Sequence, residues 1–122
     1  MISIDEFEEL VRKAADELPD RFFDELQGGV AIIEGEKFHP KSADGDIYVM
    51  GEYVKSETGN VIYMYYGSFA AAYCGYDKEA LYKEVRRVLR HEFRHHVEGM
   101  AGIRELEDED AQALEELLKR RR

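Results

Sequence analysis

Ser3 is followed three residues later by Glu6, and apolar positions then recur at Phe7, Val11, Ala14 and Leu18. This spacing predicts an amphipathic helix over residues 3–18, opened by a capping box and closed by Pro19. DRFFDEL, residues 20–26, has room for one or two further turns before Gly28 and Gly29 break the chain. The period then changes. VAIIEG (30–35), DIYVMGEYV (46–54) and VIYMYYG (61–67) are rich in Ile, Val and Tyr and are separated by turn-forming residues. Three strands are expected there, with SETGN (56–60) as a hairpin loop and EKFHPKSADGD (36–46) as an irregular connection.

From Asp77, a suitable N-cap, the chain runs to Met100 without proline or internal glycine before Gly99. Leu81, Val85, Val88, Leu89 and Phe93 give this stretch an apolar face, so the longest helix is expected here. Gly99 and Gly102 supply stop signals, and LEDEDAQALEELLKR (106–120) restarts as a closing helix with acids early and bases late. Nothing repeats and nothing is low in complexity. The expected architecture is one α+β domain over residues 1–122. In it a short, mainly antiparallel three-stranded sheet packs against an N-terminal helix, a long helix and a C-terminal helix.

Composition narrows the classes. With 122 residues the chain can bury one core. Hydrophobic residues at 44%, set against 36% charged, describe a globular chain with a very polar surface. The N-terminus has no basic segment leading into an apolar run, and no stretch approaches the roughly 18 apolar residues of a membrane span. A cytoplasmic protein without membrane contact is therefore expected. Cys74 is the single cysteine, so neither an internal disulfide nor a cysteine zinc cluster can form. Any metal must be held by histidine and carboxylates. A net charge of −10 argues against nucleic-acid binding, and Arg86, Arg87, Arg90, Arg94 and Arg120 to Arg122 read as a solvated helix face and a tail.

Three of the four histidines fall within RHEFRHHVEGMAG, residues 90–102. His91, Glu92, Phe93, Arg94 and His95 spell HExxH. On a helix, positions i and i+4 stack two imidazoles on one face, where both can bind one ion. Glu92 projects about 100° further round the axis. The helical wheel sets His91 and His95 at one border of the apolar stripe and Glu92 inside it, where an ionised carboxylate is costly unless it is paired or has chemical work. His96 faces away from the pair and reads as a surface residue. His39, beside Pro40 in a connection, also reads as a surface residue rather than a ligand.

HEFRHH, reached by a long helix after three short strands in a small chain, resembles the small bacterial zincin-like metallopeptidases, the minimal HExxH family. The resemblance covers most of the chain and implies a zincin-like fold. It implies that His91 and His95 bind Zn2+ and that Glu92 is the general base. The longer metzincin pattern is not continued, since Glu98 and Ala101 stand where it has glycine and histidine. Glu98 shares the face of His91 and His95, but three ligands at i, i+4 and i+7 of one straight helix span about 10 Å, too far for bonds near 2 Å to one ion. The chain must instead turn at GMAG and return a carboxylate. Asp110, four residues from both Leu106 and Leu114, is the expected third ligand, with Glu107 next. The competing reading of Asp110 is an acid favoured by the helix dipole in a first turn.

These residues imply a zinc-dependent metallopeptidase acting on a peptide or protein substrate. The ion would lower the pKa of bound water toward ~7 and polarise a carbonyl while Glu92 takes the proton. The oxyanion donor is left open; Tyr63, Tyr65 and Tyr66 read as packing residues, and VIYMYYG could pair with an extended substrate by β-augmentation. Two other readings remain: a non-catalytic metal-binding or interaction module whose zinc staples the last two helices, and a metal-free acidic scaffold for a basic partner.

Overall fold

A computed structural model describes residues 1–41 and 47–104, the last four by their helical backbone alone. Helix α1 spans Ile4–Asp16, with Ser3 and Glu6 forming the expected capping box. A single 3-10 turn follows at Asp20–Phe23. Strands β1 (Gly29–Ile33), β2 (Gly51–Val54) and β3 (Val61–Tyr65) come next, then a short helix α2 (Tyr66–Ala72) and the long helix α3 (Lys78–Arg104). Asp77 caps α3, its Oδ1 accepting from the Ala80 N–H at 2.7 Å. Helix α3 runs through Gly99 and Gly102 to Arg104, past the stop and turn expected at GMAG, and the closing helix expected over 106–120 lies outside the described residues. Among those described, no helix is long and apolar enough to cross a membrane.

The sheet corrects the expectation of a mainly antiparallel meander. Its order is β1-β3-β2, with β1 parallel and β2 antiparallel to β3. The β2–β3 hairpin is the one expected from SETGN, but β1 lies on the far side of β3. The physical reason is burial. In β3, Ile62 and Met64 are fully buried, whereas every residue of β1 and β2 is only half-buried. The most buried strand takes the middle of the sheet, and the long connection 34–50 allows β1 and β2 to take its two edges. VIYMYYG therefore offers no free edge to a substrate. Among the described residues the outer edges belong to β1 and β2.

Helix α3 packs on α1, β2 and β3. Its stripe of Leu81, Val85, Leu89 and Phe93 meets Phe7, Leu10 and Ala14 of α1 and Ile62 and Met64 of β3 in one core. An ion cluster ties α1 to α3. Glu17 Oε2 accepts from Tyr82 Oη at 3.0 Å, Arg86 Nε at 2.8 Å and Arg90 Nη2 at 3.2 Å. Burial would raise the Glu17 carboxyl, but the Tyr82 hydroxyl and the two guanidinium groups hold it below its usual range. The arginines are thus not simply a solvated face. Arg90 is 2% exposed and clamps α3 to the end of α1.

The connection 34–50 is not irregular throughout. Phe38 bridges Tyr48 in antiparallel fashion. Val49 N–H donates to Lys37 O and His39 N–H to Ile47 O, both at 2.8 Å, making a short two-stranded finger. Its root is fixed from α2, a helix too short to show a periodicity in the sequence. The fully buried Ser68 Oγ accepts the Lys37 N–H at 3.0 Å. A Cβ on Gly67 would lie 2.5 Å from Glu36 N and 2.7 Å from the Gly35 carbonyl carbon. Gly67→Ala should therefore cost about 2–4 kcal/mol, because both obstructing atoms are backbone. Gly35→Ala, with open space around it, should stay within about 0.5 kcal/mol. Urea denaturation of the two variants checks this, and equal losses would contradict the packing described.

Candidate metal centre and its cleft

His91 and His95 lie one turn apart on α3 and are exposed. Their Nε2 atoms are 3.0 Å apart, with the rings nearly perpendicular at 89°. Two nitrogens bound tetrahedrally to one zinc at about 2.0–2.1 Å would stand about 3.3 Å apart. The pair therefore fits one ion with a few tenths of an ångström of adjustment. Among the described residues no third carboxylate, histidine or cysteine joins them. Glu98 is exposed on an unbroken helix, as its spacing requires. Asp110 and Glu107 lie outside the described residues.

Glu92 occupies the buried position that the helical wheel assigned to it, with 7% of its surface exposed. Burial pushes its carboxyl above the usual range. His95 and a hydrogen bond from the Tyr53 backbone N–H pull the other way, and Glu52 adds a smaller upward push. That bond follows from the ladder. Tyr65 N–H donates to Met50 O at 3.0 Å, so Met50, Glu52 and Val54 turn their backbone groups toward β3, and Gly51 and Tyr53 turn theirs to the free edge. Gly51 makes the approach possible. A Cβ there would lie 2.8 Å from Val88 Cγ1 and 3.3 Å from Glu92 Cγ. The residue gave no sequence signal beyond an interrupted strand pattern.

His96 corrects the surface reading. It is fully buried behind the pair, its Nδ1 2.9 Å from Tyr53 Oη and its Nε2 2.7 Å from Asp24 O. A carbonyl can only accept, so Nε2 carries the proton and Nδ1 accepts from the tyrosine hydroxyl. The signal was available in the spacing, since Val85, Leu89, Glu92 and His96 follow one i, i+4, i+7, i+11 stripe.

A cleft of about 580 Å³ opens beside these groups. It is lined by Glu92 and His95 of α3, by β2 from Gly51 to Tyr53, and by Lys37, His39 and Val49 of the finger. Lys37 Nζ and Tyr65 Oη each donate to Glu52 Oε1 at 2.8 Å, fastening the finger to β2. The lysine amine and the tyrosine hydroxyl hold the Glu52 carboxyl below its usual range against its partial burial.

Comparisons with known proteins bear on the family and the fold. A zincin-like metallopeptidase family matches residues 46–117. The chain belongs to that family. A solved structure, a conserved hypothetical protein from Thermo thermophilus, is 33% identical, with a TM-score of 0.70 over 82% of this chain and 98% of its own. No protein of curated function matches. The family match spans β2, β3 and all of α3, so β2 and the HExxH helix packed on it both lie in the zincin-like part of the chain.

Burial sets a pH dependence for the fold. His96 sits below the 6.5 of an ordinary histidine because burial disfavours its charged form, although the Asp24 carbonyl opposes this. The unfolded chain then binds more protons than the folded one near and below 6.5. The contribution of this residue to stability is complete above about that pH and is lost as pH falls toward the folded value. Thermal midpoints should drop between pH 7 and 5, and by less in His96→Gln. An identical pH slope in parent and variant would contradict this assignment.

Proposed function

We propose that the protein is a zinc-dependent peptidase that hydrolyses peptide or amide bonds in an extended substrate. The observation that carries the reading is the convergence of the His91 and His95 Nε2 atoms, 3.0 Å apart, beside a buried carboxylate that shares a cleft with His95. His91 and His95 would hold the ion, with Asp110, or else Glu107, as the carboxylate expected from sequence. When bound, zinc supplies Lewis-acid polarisation of the scissile carbonyl and acidifies water.

The remaining work falls to the chain. Glu92, kept poorly solvated and raised toward neutrality, accepts a proton from the attacking water as its oxygen bonds to the carbonyl carbon. It then delivers that proton to the amide nitrogen as the C–N bond breaks. The Tyr53 N–H holds the carboxylate against β2. The edge of β2 suits an extended chain, because the outward N–H and C=O of Gly51 and the C=O of Tyr53 can pair with those of a peptide. A structural zinc that only stapled helices together would call for a closed site. The side position of His95 on an open cleft favours the hydrolytic reading.

Elemental analysis of protein purified without added metal should find one zinc per chain in the parent and none in His91→Ala. Glu92→Gln should keep its zinc and lose turnover of a quenched-fluorescent peptide mixture by on the order of 10²–10⁴-fold. Metal in the parent with no turnover would leave the structural module, and metal in neither protein would leave the acidic scaffold.

A further inference from the structure

We infer that His39 is the oxyanion donor of the cleft, a catalytic residue contributed by the finger rather than by α3. The inference rests on the hydrolase reading above and adds a group that the sequence left open. His39 is exposed, yet it lines the same cleft as Glu92 and His95. A carbonyl bound in this cleft therefore shares it with this imidazole.

The proton position on that ring is fixed by its own backbone. The Lys41 N–H donates to His39 Nδ1 at 3.1 Å. A nitrogen that accepts a hydrogen bond carries no proton, so in the neutral ring the proton resides on Nε2. His39 thus presents a hydrogen-bond donor, and among the described residues no partner occupies that nitrogen. Two of the three tyrosines considered from sequence are committed elsewhere, and Tyr63 is not among the residues lining the cleft. Tyr65 Oη donates to Glu52 and Tyr66 Oη to Ile2 O.

A donor stabilises developing charge only if it is held in place beforehand, because reorganisation would consume the gain. Three constraints hold His39. Its backbone N–H pairs with Ile47 O, Pro40 restricts its backbone to extended conformations, and the finger is anchored at Lys37 by Ser68 and by Glu52. As water adds to the carbonyl carbon and Glu92 takes the proton, the carbonyl π pair moves onto oxygen and accepts the His39 Nε2–H. The bond weakens again when the C–N bond breaks and the carbonyl reforms.

Two measurements test the assignment. Long-range ¹H–¹⁵N correlation of the histidine side chains, which needs no substrate, should show His39 as the Nε2–H tautomer at neutral pH. An Nδ1–H tautomer or fast exchange between the two would overturn the proposal. In the zinc-loaded protein, His39→Ala should lower kcat on the quenched-fluorescent peptide mixture by about 10²–10³-fold with KM nearly unchanged, and His39→Gln should recover part of the loss. Zinc content and thermal midpoint should match the parent, since the side chain is exposed. Unaltered kcat, a rise in KM alone, or loss of zinc would each refute an oxyanion role. If the zinc-loaded parent turned over nothing, the peptidase reading itself would fall, an outcome distinct from an active His39→Ala variant.

Discussion

The closeness with which α3 crosses β2 is the constraint from which the site follows. At Gly51 the strand backbone comes so near the helix that a methyl group would collide with Val88 and press on Glu92. Large apolar residues on α3 hold the helix against β3 and α1, and a residue without a side chain lets β2 close over it. The consequence is electrostatic. Glu92 is stripped of most of its water, which raises its carboxyl, and is given a backbone N–H that opposes the rise and fixes its direction.

Burial and exposure are divided sharply over one turn of that helix. Glu92 and His96 sit on the packed side, and His91 and His95 on the open side. The buried pair is satisfied from two directions, Glu92 by the Tyr53 backbone and His96 by the Tyr53 hydroxyl and the Asp24 carbonyl. Tyr53 thus holds α3 to β2 through both ends of the residue. Polar groups buried in this way cost several kcal/mol if left unpaired. The same bonds that prevent that cost orient the helix face carrying the two exposed imidazoles.

The finger contributes the other half of the cleft by a separate route. Its rigidity comes from α2, through the buried Ser68 hydroxyl and the glycine at position 67, and from the Lys37–Glu52–Tyr65 hydrogen bonds. None of these residues lies near His91 and His95 in sequence. They determine what else lines the cleft of about 580 Å³ beside that pair.

Elements set by local periodicity were legible in the chain itself. The capping box of α1, the Asp77 cap, the long amphipathic helix and the i, i+4 stacking of His91 and His95 all depend on residues within a few positions of one another. Their positions follow from helix geometry alone, as does the placement of Glu92 inside the apolar stripe. Tertiary structure alone decided the rest. Which strand takes the middle of the sheet depends on competition among three strands for burial, so β3 became central and β1 and β2 the outer edges. His96 is buried, and Arg90 is clamped, because of groups at Asp24 and Glu17 more than seventy positions away. His39 entered the cleft because a connection without an obvious period folded back on itself and was pinned by α2. A spacing rule carries no information about contacts between distant segments, and those contacts assembled the cleft around a motif the sequence had already marked.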